Sequence, residues 1–300
     1  FSKAFDKLLH SRIISACNNF HLPSHIVNWI ASFLSSRKQR VSLGEVFSSW
    51  SDVTSGIPQG SILGPILFCL AIDNLSHACP NSSIIKYADD VSILHFLRSS
   101  SDDHLQSEWD NIVSWSQSAC LPLNYLKCQV VDFVTKKNLS LSTVTLTDGT
   151  LLRNVPSLSL LGVVFNCDLK WNLHVDNLVK RASQRLFILR NLRRSGCPLS
   201  VMLKCYFAFI RSVISYAFPC FCNMPSYLFS KLKRVEKRAL RIMGCNSQFP
   251  PCFMTFCDEL CTKLFTSVVQ CEDHPLREMF SPAGSRLTRG GRMILLERVR

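Results

Sequence analysis

The sequence has 300 residues, of which 47% are apolar and 18% charged, with a formal net charge of +13. That balance supports one large packed domain or two smaller ones and excludes a disordered chain. Fifteen cysteines without a regular framework, and no signal-peptide pattern, exclude a small disulfide-rich secreted fold and read as reduced thiols inside a cell.

In chain order, residues 6–20 and 24–37 read as helices, the second with Ser24 as its cap and Ile26, Ile30, Phe33 and Leu34 at helical spacing. Residues 40–50 read as a hairpin turning at Gly44 and Glu45. A loop rich in Gly and Pro then runs into a helix that starts near Pro65 and packs through Ile66, Leu67, Leu70, Ala71 and Leu75. The stretch "SIIKYADDVSILHF" (83–96) is two alternating apolar runs around adjacent carboxylates, Asp89 and Asp90. A helix follows with Leu105, Trp109, Ile112 and Val113 on one face, and then strands at 127–134, 143–152 and 157–165. Helix, hairpin, helix, hairpin, helix and strands make an α+β order.

From Asn172 the pattern is helical, with one stripe of Val175, Val179, Ala182, Leu186 and Leu189 and another of Leu228, Leu232, Val235, Ala239 and Ile242, ended by Gly244. The most apolar stretch, 205–222, holds Arg211 and Pro219, which makes it a poor membrane span and a better buried helix. Residues 246–300 show no clean period.

The charge is regional. Fifteen Lys and Arg lie between 170 and 241 against Asp176 and Glu236, so this part carries the whole excess. Lys231, Lys233, Arg234, Lys237, Arg238 and Arg241 crowd one helix, as in a surface that grips a nucleic-acid backbone; a solvated helix face is the plainer alternative.

Two Asp at a hairpin tip are, by themselves, more often turn formers than ligands. The rival is a divalent-metal site, because paired carboxylates offer Mg²⁺ hard oxygen ligands and leave positions for substrate phosphates. Residues "CDELC" (257–261), Cys271 and His274 lack a recognised zinc spacing and read as buried thiols on a helix. His10, His95 and His174 have no evident chemical partner.

The motifs "FSKAFD" (1–6), "GIPQGSILGPILF" (56–68), "YADD" (87–90), "LPLNYLKC" (121–128) and "LGVVF" (161–165) occur in one order and spacing. Together they resemble reverse transcriptases, above all those of non-LTR (LINE-type) retrotransposons, over residues 1–165 and into the helices beyond. The resemblance implies a right-hand polymerase: a palm with partial fingers at 1–168, a basic helical thumb at 169–245 and an extension of unknown structure at 246–300. It implies RNA-templated DNA synthesis with two Mg²⁺ ions, Mn²⁺ being the alternative, and an RNA template, a DNA primer or target DNA and deoxynucleoside triphosphates as partners. It implies no membrane, no named protein partner, and action in the nucleus or cytoplasm.

By the same resemblance Asp89 is a catalytic metal ligand and Asp90 supports it. Phe5 lies beneath the incoming sugar and excludes a 2′-hydroxyl, against ordinary core packing. Gln59 and Gly60 lie near the template base and incoming nucleotide, against a simple turn, and Tyr87 borders that site. Lys127 assists the leaving pyrophosphate, against a surface lysine. The family's other essential carboxylate directly precedes the position of Phe1, so the chain reads as a segment that starts inside this motif and is inactive as given. The alternatives are a relic that only binds nucleic acid and a fold that has lost even that.

Overall fold

A computed structural model describes residues 1–96, 103–133, 143–245 and 252–277. They belong to two compact units, Phe1–Val155 and Pro156–Arg300.

The first unit opens with helices α1 (Ala4–Lys7), α2 (His10–Asn19) and α3 (Ser24–Leu34). The single helix expected over 6–20 is broken at Leu8, whose backbone turns extended while its side chain is fully buried. Ser24 is not a cap: Pro23 takes that position and no side chain caps α3. The proline fixes φ for entry into the helix, as it can only at a helix start. Val27 rather than the exposed Ile26 joins Ile30 and Leu34 in the core.

Next come two short antiparallel ladders, β1 (Lys38–Gln39) with β4 (Ser51–Asp52) and β2 (Ser42–Leu43) with β3 (Val46–Phe47). The inner one turns at Gly44 and Glu45 as expected, with Gly44 at a φ of 61°. Helix α4 (Leu63–Ile72) starts two residues before Pro65 and buries Leu67, Phe68, Ala71 and Ile72, leaving Ile66 exposed. These residues meet Leu8, Ile13, Cys17, Ile57 and Leu121 in the main core of the unit.

The long hairpin β5 (Ser82–Tyr87) and β6 (Asp90–His95) precedes α5 (Leu105–Ser118). Trp109, Ile112 and Val113 of α5 are buried, as expected. Beyond it the two expected strands shrink to isolated bridges, Val130 with Asn154 and Thr145 with Leu151, and Tyr125–Lys127 forms a 3₁₀ turn. Val134 of those stretches lies outside the described residues.

The second unit starts with β7 (Ser157–Leu160) and β8 (Val163–Asn166), a hairpin that the sequence groups with residues 1–168. Its turn residues Leu161 and Gly162 both have positive φ, as a two-residue type I′ turn needs. The Tyr216 ring lies 3.2 Å from where a Cβ on Gly162 would stand, and its hydroxyl donates to the Leu161 carbonyl at 2.8 Å.

Helices α6 (Asn172–Arg194), α7 (Leu199–Tyr206), α8 (Ser212–Ile214), α9 (Ser226–Met243) and α10 (Phe253–Gln270) complete it. α6 packs along α9. Val175, Ala182, Leu186 and Leu189 of α6, and Leu228, Leu232, Val235 and Ala239 of α9, fill one core. Gly244, at φ 75°, ends α9.

By length and composition 199–221 could cross a membrane. In this fold it is instead interrupted by a π turn (Phe207–Arg211) and a 3₁₀ turn (Phe218–Phe221), and it buries Tyr206, Ile210, Ile214 and Phe221. Helix α10 gives structure to part of 246–300, burying Phe253 and Cys257 in the same core.

Candidate active site

The register of β5 and β6 runs from Ser82 opposite His95 to Tyr87 opposite Asp90, which leaves Ala88 and Asp89 as a two-residue turn. Ala88 holds a left-handed φ of 49°. Such a conformation is uncommon for a side chain larger than glycine's and stores backbone strain at the tip. Asp89 is half-buried and Asp90 exposed. Among the described residues, no hydrogen bond or ion pair engages either carboxylate. Adjacent, uncommitted oxygens on a short rigid turn fit a hard divalent cation.

The root of the hairpin is held by Glu108 of α5, whose side chain is buried. Its carboxylate accepts both the Ala78 N–H, at 3.0 and 3.1 Å, and the Cys79 N–H, at 2.5 Å. His95 shares a 2.8 Å hydrogen bond with Ser82 Oγ and accepts the His104 N–H on Nε2.

Burial pushes the Glu108 carboxyl up, but the hydrogen bonds it accepts, chiefly from Ala78 and Cys79, outweigh it and hold it below its ordinary value of 4.5. A carboxylate lowered by folding stabilises above its unfolded value, and that contribution disappears as pH falls through the lowered one. Urea titrations should therefore show stability lost on the acid side of pH 4.5. Glu108→Gln should cost about 1–3 kcal/mol at pH 7 and flatten that loss; an unchanged acid limb would show that the clasp contributes nothing.

A second cluster forms around the loop 55–61. The Gly56 N–H donates to the Leu8 carbonyl and the Ile57 N–H to the Phe5 carbonyl, each at 2.8 Å. A Cβ on Gly56 would stand 2.6 Å from the Asp6 carbonyl oxygen, and its φ is 81°, so only glycine fits this crossing. The Gly56 carbonyl accepts Arg37 Nη2 at 2.7 Å and lies 2.9 Å from His10 Nε2. Gln59 Nε2 donates to Asp6 Oδ1 at 2.8 Å, and the Phe5 ring stacks on Phe68 at 4.6 Å. The "FSKAFD" and "GIPQG" motifs are thus joined residue by residue.

The family model described as "Reverse transcriptase (RNA-dependent DNA polymerase)" matches residues 1–165, more than half of the chain. The chain belongs to the reverse transcriptase family.

Among curated proteins it is 25% identical over 255 residues to the RNA-directed DNA polymerase from mobile element jockey of Drosophila melanogaster, covering 80% of this chain and 27% of that protein. It is 24% identical over 253 residues to the probable RNA-directed DNA polymerase from transposon BS of the same species, covering 80% and 28%. Over 145 residues it is 28% identical to the corresponding X-element protein, covering 45% and 15%. The resemblance to the non-LTR, LINE-type enzymes therefore holds, and the chain spans about a quarter of the length of the first two relatives.

Of the residues singled out from sequence, Phe5 and Gln59 are brought together through the 1–6 and 55–61 segments. Gly60, at φ 81°, has open space where a Cβ would stand. Tyr87 is exposed and pairs with Asp90. Lys127 ends the 3₁₀ turn after Leu121, which is packed in the same core as Ala4 and Ile57. Phe5 is half-buried, so its stacking on Phe68 gives it the packing role weighed at the outset while leaving part of the ring accessible.

The six basic residues lie on α9 in the second unit and are not equivalent. Lys231 is paired with Asp176 at 2.6 Å, and Lys233 packs over Phe229 and against the Met254 sulfur. Arg234, Lys237, Arg238 and Arg241 are exposed, at the spacing of a single helix face.

Cys257 is buried and its thiol is pushed up to about 12, chiefly by that burial; Cys261 also rises to about 12, chiefly by burial and secondarily by Cys222. Among the described residues no three His, Cys, Asp or Glu side chains form a metal-holding group. Sequence reasoning missed Asp6, Arg37, Lys86 and Glu108, whose partners at the site lie 11 to 53 positions away with no local pattern to announce them.

Proposed function

We propose that this chain is the catalytic portion of an RNA-directed DNA polymerase of a LINE-type element. It would join deoxynucleotides to a primer 3′-hydroxyl on an RNA template. The observation that carries this reading is the uncommitted Asp89–Asp90 pair on a strained hairpin turn, inside a region that matches the reverse transcriptase model. In this reading residues 1–168 serve as palm with partial fingers and 169–245 as thumb. The protein works inside the cell, in the nucleus or cytoplasm.

Asp89, supported by Asp90, would hold Mg²⁺ or Mn²⁺. The bound ions supply charge neutralisation for the attacked phosphate and its leaving group. Gln59, tethered to Asp6, fixes the loop beside the incoming nucleotide, and Gly60 leaves room for a base or sugar to approach. Phe5, braced on Phe68, offers a flat edge beneath the sugar. Lys127 supplies a positive charge for the departing pyrophosphate.

A polypeptide in which an aspartate and a fingers segment precede Phe1 should elongate a DNA primer on an RNA template in Mg²⁺. Retained nucleic-acid binding with no elongation would reduce the chain to a binding relic. The grip on the duplex falls to the exposed α9 face, since Lys231 and Lys233 are already engaged. Reversing Arg234, Lys237 and Arg238 to Glu should weaken binding and, if each meets one phosphate, lower the log–log salt slope by roughly 3. An equally steep slope would place the grip elsewhere.

A further inference from the structure

Lys86 directly precedes the "YADD" motif, and its alternation on β5 turns it inward beside the end of α4, away from the face of the exposed Tyr87. Its ammonium donates to three backbone carbonyls: Asp73 at 2.7 Å, Leu75 at 3.1 Å and Ile72 at 3.3 Å. These belong to the last residue of α4 and the turn after it. An ammonium has three donors, so the cluster saturates it. It also places a positive charge at the negative end of the helix dipole, where unpaired carbonyls collect.

The other end of α4 is built onto the loop that carries Gln59 and Gly60. Ser61 Oγ accepts the Gly64 N–H at 3.1 Å and donates to the Pro58 carbonyl at 2.7 Å. A Cβ on Gly64 would meet Pro58 O at 3.2 Å and Ile57 Cγ2 at 3.3 Å, so helix and loop are in direct contact. Helix α4 is also fixed along its length by Leu67, Phe68, Ala71 and Ile72 in the core. It is a strut of about 15 Å with the nucleotide-side loop at one end and the carboxylate hairpin at the other.

We infer that Lys86 is a positioning residue: its bonds to the C-terminal carbonyls of α4 set the register of the Asp89–Asp90 turn against the Gln59–Gly60 loop. This rests on the proposed polymerase reading, which gives those two parts a common substrate. Lys86 touches neither metal nor nucleotide. It acts three residues from Asp89, through a hairpin whose other end is clasped by Glu108. A hydrocarbon side chain of similar length would fill the space but leave the hairpin free to slide along the helix end. Misplacement by about 1 Å typically costs on the order of 100-fold in a reaction step, and loss of a supporting contact about 10- to 100-fold in affinity or activity.

The test measures equilibrium binding of a fluorescent deoxynucleoside triphosphate to the polypeptide in which an aspartate and a fingers segment precede Phe1, on an annealed RNA–DNA primer–template, with Ca²⁺ as a non-reactive ion. It compares the unsubstituted chain with Lys86→Met, Lys86→Arg and Asp89→Asn, and circular dichroism gives the folded fraction of each. The inference predicts roughly tenfold or greater weakening in Lys86→Met beyond any change in folded fraction, and recovery in Lys86→Arg, whose guanidinium can again donate to the carbonyls. Loss of binding in Asp89→Asn with no weakening in Lys86→Met would overturn the inference alone. So would weakening that follows the folded fraction or that Arg fails to rescue. No binding by the unsubstituted chain, or binding indifferent to Asp89→Asn, would overturn the polymerase reading and the inference with it.

Discussion

Glu236→Ala is expected to destabilise the second unit by about 3–5 kcal/mol, the usual cost of removing one side of a buried ion pair. Arg211 is 2% exposed and Glu236 7%, and their side chains meet at 3.4 Å. The Tyr206 hydroxyl donates to the same Glu236 oxygen at 3.1 Å. The guanidinium lies over the Phe256 ring at 4.8 Å and near Phe207 and Tyr206, so this cation sits in an aromatic pocket. The π turn at Phe207–Arg211 explains how Arg211 arrives there. One extra residue in the turn rotates the following side chains, and both Ile210 and Arg211 face inward.

Burial pushes the Glu236 carboxyl up, with Arg211 and Tyr206 pulling it partly back. A group raised by folding contributes stability that is complete below its unfolded value and is lost as pH rises through the folded one. Denaturant midpoints for the full chain should therefore fall as pH rises above 4.5, the ordinary Glu value, and that limb should vanish in Glu236→Gln. The double variant Arg211→Met with Glu236→Leu should recover most of the loss seen in Glu236→Ala, because apolar replacement of a buried ion pair is often neutral or stabilising. A double variant no more stable than Glu236→Ala would show that the loss came from packing rather than from the broken ion pair.

The sequence pattern was most legible where one period ran long. The α6 and α9 stripes and the α5 face landed on the core nearly as expected, because a long amphipathic helix has only one way to bury its apolar side. Short-range rules failed where tertiary contacts decided. Leu8 breaks the first helix to reach the core, and Pro23 replaces Ser24 at the start of α3. The stretches at 127–134 and 143–152 have strand composition but find only single bridges, since strand propensity needs a partner sheet to be realised.

At the site, the motifs contain Phe5, Gln59, Gly60, Asp89 and Asp90, and the hairpin turn lies where the alternating runs placed it. The supports were hidden. Lys86, Glu108 and Arg37 carry no motif in the sequence, and become significant only when the fold brings backbone atoms up to them. The same physics divides the basic helix into engaged and free cations, a division that charge counting cannot make.

Asp89→Asn is the substitution with the largest expected effect on function. In the proposed mechanism it removes one anionic oxygen ligand while keeping the shape of the turn. Asn tolerates turn geometry as Asp does, so the fold should persist. Removal of one major electrostatic contact from a reacting centre costs ~10²-fold or more in rate, and a missing metal ligand belongs at the severe end. Asp90→Asn, at the exposed supporting position, should cost less. The decisive measurement is single-turnover incorporation of one deoxynucleotide on an RNA template in Mg²⁺, using the chain with an aspartate and fingers segment placed before Phe1. The account predicts product from the unsubstituted protein and at least ~10²-fold slower product from Asp89→Asn at equal folded fraction. Equal rates from the two proteins would contradict it.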